Sequence, residues 1–183
     1  MHRSVPLALT LTAALAISAC QASEEAATTA KSAAQAQSSA TLSTTDATFI
    51  NTVAMAGNAE VTFGQLAASK ATRGDVRQFA NRMVTDHTKG NQQLMALAQQ
   101  KDITPSQGMD TMHQTLYEQL QAMSGSDFDN AYMKSQVQDH EMVVETFQTE
   151  ADSGSDADVK GFAQQNLPTM QQHLQMARSI SGM

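Results

Sequence analysis

From residue 46 to residue 180 the apolar residues recur every three or four positions in four long stretches, and each stretch carries an ionisable residue inside its apolar stripe. That recurrence is the mark of amphipathic helices, and no segment alternates with the period of two that a half-buried strand requires. The first stripe, Phe49, Val53, Ala56, Gly57, Phe63, Gly64 and Ala67, is centred on Glu60. The second runs Val76, Phe79, Ala80, Met83, His87, Gly90, Leu94 and Leu97, with Asp86 at its edge. In the third, Met133, Val137, Val143, Val144, Phe147 and Ala151 surround His140, while Asp139 lies about 100° away. The fourth carries Asn166 and His173 among Val159, Phe162, Ala163, Leu167, Met170, Leu174 and Ala177. A lone carboxylate or imidazole turned into a helical core is costly or shifts its pKa, so these groups require one another or an ion.

The helix ends follow from turn chemistry. The first helix spans Asp46 to about Ser69, and Arg73-Gly74-Asp75 is the turn, with Asp75 as the N-cap of a second helix reaching Gln100. The third runs from Ser126 to Ala151, and the fourth from Asp156 to Ile180, where Pro168 is expected to introduce a kink. Between the two pairs, Thr104 to Gly108 is a loop, and Met109, Met112, Leu116, Leu120 and Met123 form a short amphipathic helix on which His113 is a surface or packing residue. A connection of that length lets the next long helix start at the opposite end of the bundle.

The N-terminal part has a different character. Arg3 precedes an apolar run from Val5 to Ile17, too short to span a bilayer, so residues 1–19 read as an export signal. The run ends Ile17-Ser18-Ala19-Cys20, which resembles a bacterial lipobox, and Cys20 is the one cysteine in the chain. Lipid on Cys20 would hold the protein to a membrane. The alternative is an ordinary signal cut nearby that leaves a free thiol. Gln21 after the cysteine favours, by resemblance to enterobacterial sorting, an outer-membrane lipoprotein facing the periplasm over a free periplasmic protein. Residues 20–45, made of Ala, Ser, Thr and Gln, cannot bury enough surface to offset their ordering entropy and read as a tether. The folded domain is residues 46–181.

The chain has 11 basic and 18 acidic residues, a net charge of −7. Loss of Arg3 with the leader takes it to −8. Nucleic acid is disfavoured as a partner, because phosphate neutralisation needs a basic surface. There is no phosphate-binding glycine loop, nucleophile elbow or serine set beside an inward histidine, so an enzyme is the least supported class.

Taken together, Ala59-Glu60-Val61, Phe79 through Met83-Val84-Thr85-Asp86-His87, Phe128-Asp129-Asn130-Ala131-Tyr132-Met133, Asp139-His140 and Leu167-Pro168 through His173-Leu174 resemble an uncharacterised ferritin-like domain of unknown function found in exported or outer-membrane bacterial proteins. The resemblance covers about residues 46–180. It implies an all-α, ferritin-like four-helix bundle with a short extra helix in the crossover connection, and it brings no established catalytic residue. The chain lacks the Glu-x-x-His pairs of di-iron bundles, and the side chains of each Asp-His pair diverge by about 100°.

The candidate metal ligands are therefore Glu60, Asp86, His87, His140 and His173, a donor set suited to Zn, Cu or Fe, with Asp86 able to orient an imidazole from behind. Counted from the turns, Glu60 and His87 differ in height by about 4–5 Å, and His140 and His173 by about 7–8 Å. The competing reading is that these residues, with Asp139, satisfy one another by hydrogen bonds and ion pairs. Met83, Met133 and Met170 share the inner faces; thioethers suit Cu(I), but methionine also simply fills helical cores. The expected role is a lipid-anchored envelope protein, structural or stress-related, whose interior binds a transition metal. The alternatives are a metal-dependent oxidoreductase or metal-storage protein, and an envelope interaction module whose protein partner the sequence does not name.

Overall fold

The computed structural model describes residues 42–183. The leader, Cys20 and the tether as far as Thr41 lie outside the described residues. Five helices follow in order: α1 (Thr44–Lys70), α2 (Gly74–Gln100), α3 (Thr111–Ala122), α4 (Gly125–Ser153) and α5 (Ala157–Ser181), with no strand among the described residues.

Local chemistry sets their ends. Ser43 caps α1 by accepting from the Asp46 N–H at 3.1 Å, two residues earlier than the sequence placed the start. Asp110 caps α3 through the His113 N–H, and Asp156 caps α5 through the N–H groups of Asp158 and Val159. Asp75 is not the cap of α2. Arg73 holds that position without a side-chain hydrogen bond, and Asp75 sits inside the first turn, paired with Arg73 at 2.6 Å. Its carboxylate there complements the helix dipole. Gly125 takes φ of +62° where the chain leaves α3 for α4, a conformation open to glycine at little cost.

α1 and α2 form one antiparallel hairpin, and α4 and α5 form another. The crossover through α3 returns the chain to the α1–α2 turn, so α4 runs antiparallel to α1, and α5 antiparallel to α2. Two buried aspartates fix this order. Asp129, on α4, accepts from the N–H groups of Thr72 and Arg73 and from the Thr72 hydroxyl, at 2.6 to 3.2 Å. Asp46, on α1, does the same for the other hairpin by accepting from Ser155 and Asp156 N–H at 3.0 and 3.1 Å. Each hairpin thus closes the turn of the other. Lys101, its side chain 5% exposed, bridges Asp156 and Asp158 at 2.7 Å each and ties the end of α2 to the start of α5.

α1 and α2 approach closely because α1 carries glycine where they touch. A Cβ on Gly64 would come 2.8 Å from Val84 Cγ2 and 3.0 Å from the Ala80 carbonyl, and one on Gly57 would strike the Asn91 side chain. α3 lies against α1, where Tyr117 stacks on Phe63 at 6.3 Å between ring centroids.

The apolar interior is split in two. One cluster, around Phe63, Phe79, Met83, Phe128, Tyr132 and Val137, fills the end near the α1–α2 turn. The other, around Phe49, Leu94, Phe147, Phe162 and Met170, fills the end near the α4–α5 turn. Between them lies a polar layer drawn from all four long helices: Glu60, His87, His140 and His173.

Candidate metal centre

His87, His140 and His173 are buried, and one ring nitrogen of each lies within 4.8 Å of those of the other two. The ring centroids stand 5.4 to 5.6 Å apart. Each helix places its histidine on the stripe that the sequence marked. The 7–8 Å offset expected for His140 and His173 is too large, because α4 continues to Ser153 and α5 starts only at Ala157. His140 then lies 13 residues before the end of α4 and His173 16 after the start of α5, a difference of about 4.5 Å at ~1.5 Å per residue.

The hydrogen bonds at the backs of two rings fix which nitrogen faces the centre. His140 Nδ1 lies 2.9 Å from the Gln136 carbonyl, which can only accept, so Nδ1 carries the proton and Nε2 keeps its lone pair. His173 Nε2 donates to Asp86 Oδ2 at 2.9 Å, which leaves Nδ1 as the free nitrogen. Arg82 holds Asp86 in turn at 3.2 Å and reaches Gln172 with its other end. His87 Nε2, His140 Nε2 and His173 Nδ1 are all buried and make no hydrogen bond. Three buried ring nitrogens without a partner, two of them fixed as lone-pair bearers, are unusual in an interior, where polar atoms are paired.

Burial depresses the basicity of all three imidazoles. For His87 burial acts with the neighbouring His140 and His173 to push the pKa well below the ordinary value. His140 is lowered to about 3 by burial and by His173. His173 is lowered by burial despite the Asp86 carboxylate, which pulls the other way. The rings are therefore neutral at neutral pH, the state in which imidazole binds a metal.

The two acids named with them occupy other positions. Asp86 lies behind His173 and orients it, outside the three-nitrogen cluster. Glu60 lies on the Nδ1 side of His140, 3.8 Å away, beyond hydrogen-bond reach. Burial and repulsion from Asp139 push its pKa up to about 8, so at neutral pH neither partner is charged and the contact is no ion pair. The Glu60 Oε2 is likewise without a partner. Mutual satisfaction thus accounts for Asp86 with His173, and leaves Glu60 and His87 unexplained.

Of the surface and packing roles expected for His113, the structure shows packing, against Phe63 at 5.9 Å between ring centroids. His113 is buried, 2.7 Å from Asp110 through Nδ1 and 3.9 Å from Asp139 through Nε2. Asp139, at about 6, is raised by burial above the ordinary aspartate value. Asp139 thus faces His113 on α3, outside the three-histidine cluster but near enough to Glu60 to repel its charge. The signal was local: Asp110 and His113 stand three apart at a helix start, where a cap can hold the ring as well as the backbone.

The fold and site define a helical bundle with a histidine-lined polar layer through its centre. The chain belongs to a family described as a domain of unknown function, DUF4142, whose model matches residues 27–180. No curated protein matches. Among solved structures, the chain is similar to the crystal structure of a DUF305 fragment from Deinococcus radiodurans, at 11% identity and a TM-score of 0.69, over 77% of this chain and 97% of that one. At that identity the likeness concerns the fold alone.

Proposed function

We propose that this protein binds one transition-metal ion through His87, His140 and His173, in a ferritin-like bundle carried on the cell envelope by lipid attached to Cys20. The observation that carries the reading is the set of three buried imidazoles, each with a nitrogen that makes no hydrogen bond and with ligand atoms within 4.8 Å of one another. Three imidazoles suit zinc, copper or iron better than calcium or magnesium, which prefer oxygen donors. Asp86 and the Gln136 carbonyl act behind the ligands, fixing tautomer and ring orientation. Glu60 is the one candidate carboxylate that lines the layer; burial and Asp139 keep it protonated without metal, and a bound dication would favour its ionised form.

The test is metal analysis of protein purified without chelator. About one equivalent per chain is expected, lost in His87→Ala and in His140→Ala, since loss of even a residue that orients a ligand costs about 10–100-fold in affinity and loss of a ligand costs more. No metal in the parent after reconstitution with Zn(II), Cu(II) or Fe(II) would overturn the assignment. Oxygen uptake with Fe(II) would move the protein to the oxidoreductase or storage class. Palmitate incorporation that survives Cys20→Ser would remove the anchor.

A further inference from the structure

We propose that the ion reaches this centre sideways, through an opening at Gly90 between α2 and α5; the inference rests on the metal reading above. Passage along the bundle axis is blocked at both ends. Phe63, Met83, Val137 and Ala177 seal one side of the polar layer, and Phe49, Phe147 and Phe162 close the other. The α1–α2 contact is closed by the tight packing at Gly57 and Gly64.

The α2–α5 face differs. A surface groove of about 390 Å³ runs along it between Arg82 and Gln93 on one side and Gln165 and Thr169 on the other. Beneath it lies a cavity of about 40 Å³, large enough for a water or a small ion, that reaches Glu60 and, of the three histidines, His87. Groove and cavity share four residues, Asp86, Gly90, Asn166 and Thr169, which form the wall between them. Three of these carry oxygen atoms able to replace waters of an incoming ion, and Asp86 also holds His173. The fourth has no side chain.

Gly90 has no packing reason to be glycine. A Cβ there would meet nothing within 4 Å, in contrast to Gly57 and Gly64. A glycine inside a helix costs about 1 kcal/mol relative to alanine, so its presence without a close neighbour fits a need for space. Gly161, on α5, is equally unpacked, but it lines the continuation of the groove with Gln93 and Gln165 and does not border the cavity. It serves as the control.

The test uses apo protein mixed with Co(II) in stopped flow, read by visible absorption, together with equilibrium titration. In Gly90→Leu, association and dissociation are both expected to slow about 10-fold or more, leaving the equilibrium affinity within about twofold of the parent, because an obstructed path changes both rates alike. Gly90→Ala should fall between, and Gly161→Leu should match the parent. Parent-like association in Gly90→Leu with Co(II) bound at one equivalent would overturn the portal and leave the metal site standing. Equal slowing in Gly161→Leu, or slower association with unchanged dissociation, would also overturn it. Failure of the parent to bind Co(II) would instead overturn the metal reading itself.

Discussion

Asp129→Ala is expected to lower the unfolding free energy by about 3–4 kcal/mol, measured by denaturant titration with an unchanged slope. The buried carboxylate receives the N–H groups of Thr72 and Arg73 and the Thr72 hydroxyl. Hydrogen bonds to a charged acceptor contribute about 1.5–3 kcal/mol each, and truncation strands the donors at the α1–α2 turn. Burial raises this carboxyl's pKa, but the Thr72 and Arg73 hydrogen bonds together outweigh it and leave the group below the ordinary aspartate value. A group depressed in the folded state stabilises above its unfolded pKa, and that contribution disappears as pH falls through the folded value. Asp129→Asn should therefore behave between the parent and the alanine variant at pH 7. Asp75→Ala is the control: its ion pair with Arg73 is half exposed on both sides, and solvent screening leaves such pairs little effect on stability. A loss at Asp129 no larger than at Asp75 would refute the clamp.

The metal-free protein is expected to be most stable near pH 6 and to lose stability on both sides. His87, His140 and His173 have folded pKa values below the ordinary histidine value. Below about pH 6.5 the unfolded chain therefore binds more protons, and each depressed histidine removes about 1.4 kcal/mol per pH unit until its folded pKa is reached, near 3 for His140. The acids act in the opposite direction. Glu60 rises from 4.5 to about 8 and Glu150 to about 7, the latter through burial and the adjacent Asp46. A raised acid favours the folded state at low pH, and its contribution is lost as pH climbs from the unfolded value through the folded one. Between pH 6.5 and 8 the histidines no longer oppose this loss, and Glu60 alone removes about 2 kcal/mol. Melting temperature against pH checks the profile, and Glu60→Gln should flatten the alkaline limb. An alkaline limb that persists unchanged in Glu60→Gln would contradict the assignment.

The helices and the inward facing of Glu60, His87, His140 and His173 were legible in the sequence, because stripe periodicity reports direction at every turn of a helix. What periodicity does not report is where a helix stops. Two residues of extra length in α4 and a later start of α5 were enough to reduce the offset of His140 from His173 from about 7–8 Å to about 4.5 Å. Nor does it report what stands behind a residue at the edge of a stripe. Asp86 and Asp139 have the same local setting, each immediately before a histidine, yet one faces His173 and the other faces His113 on the crossover helix. That difference is tertiary: α5 packs beside Asp86 and α3 beside Asp139. The roles of Asp46 and Asp129 were invisible for the same reason, since each serves a turn that lies more than 50 residues away in the chain.

Neither half of the chain contains the acceptor needed to finish its own bend: the first hairpin borrows Asp129, and the second borrows Asp46. The halves are thus reciprocal templates, and neither turn is complete until the two are joined. Excised alone, each would have a frayed tip, and two molecules that opened at the long connection could satisfy these aspartates by exchanging halves.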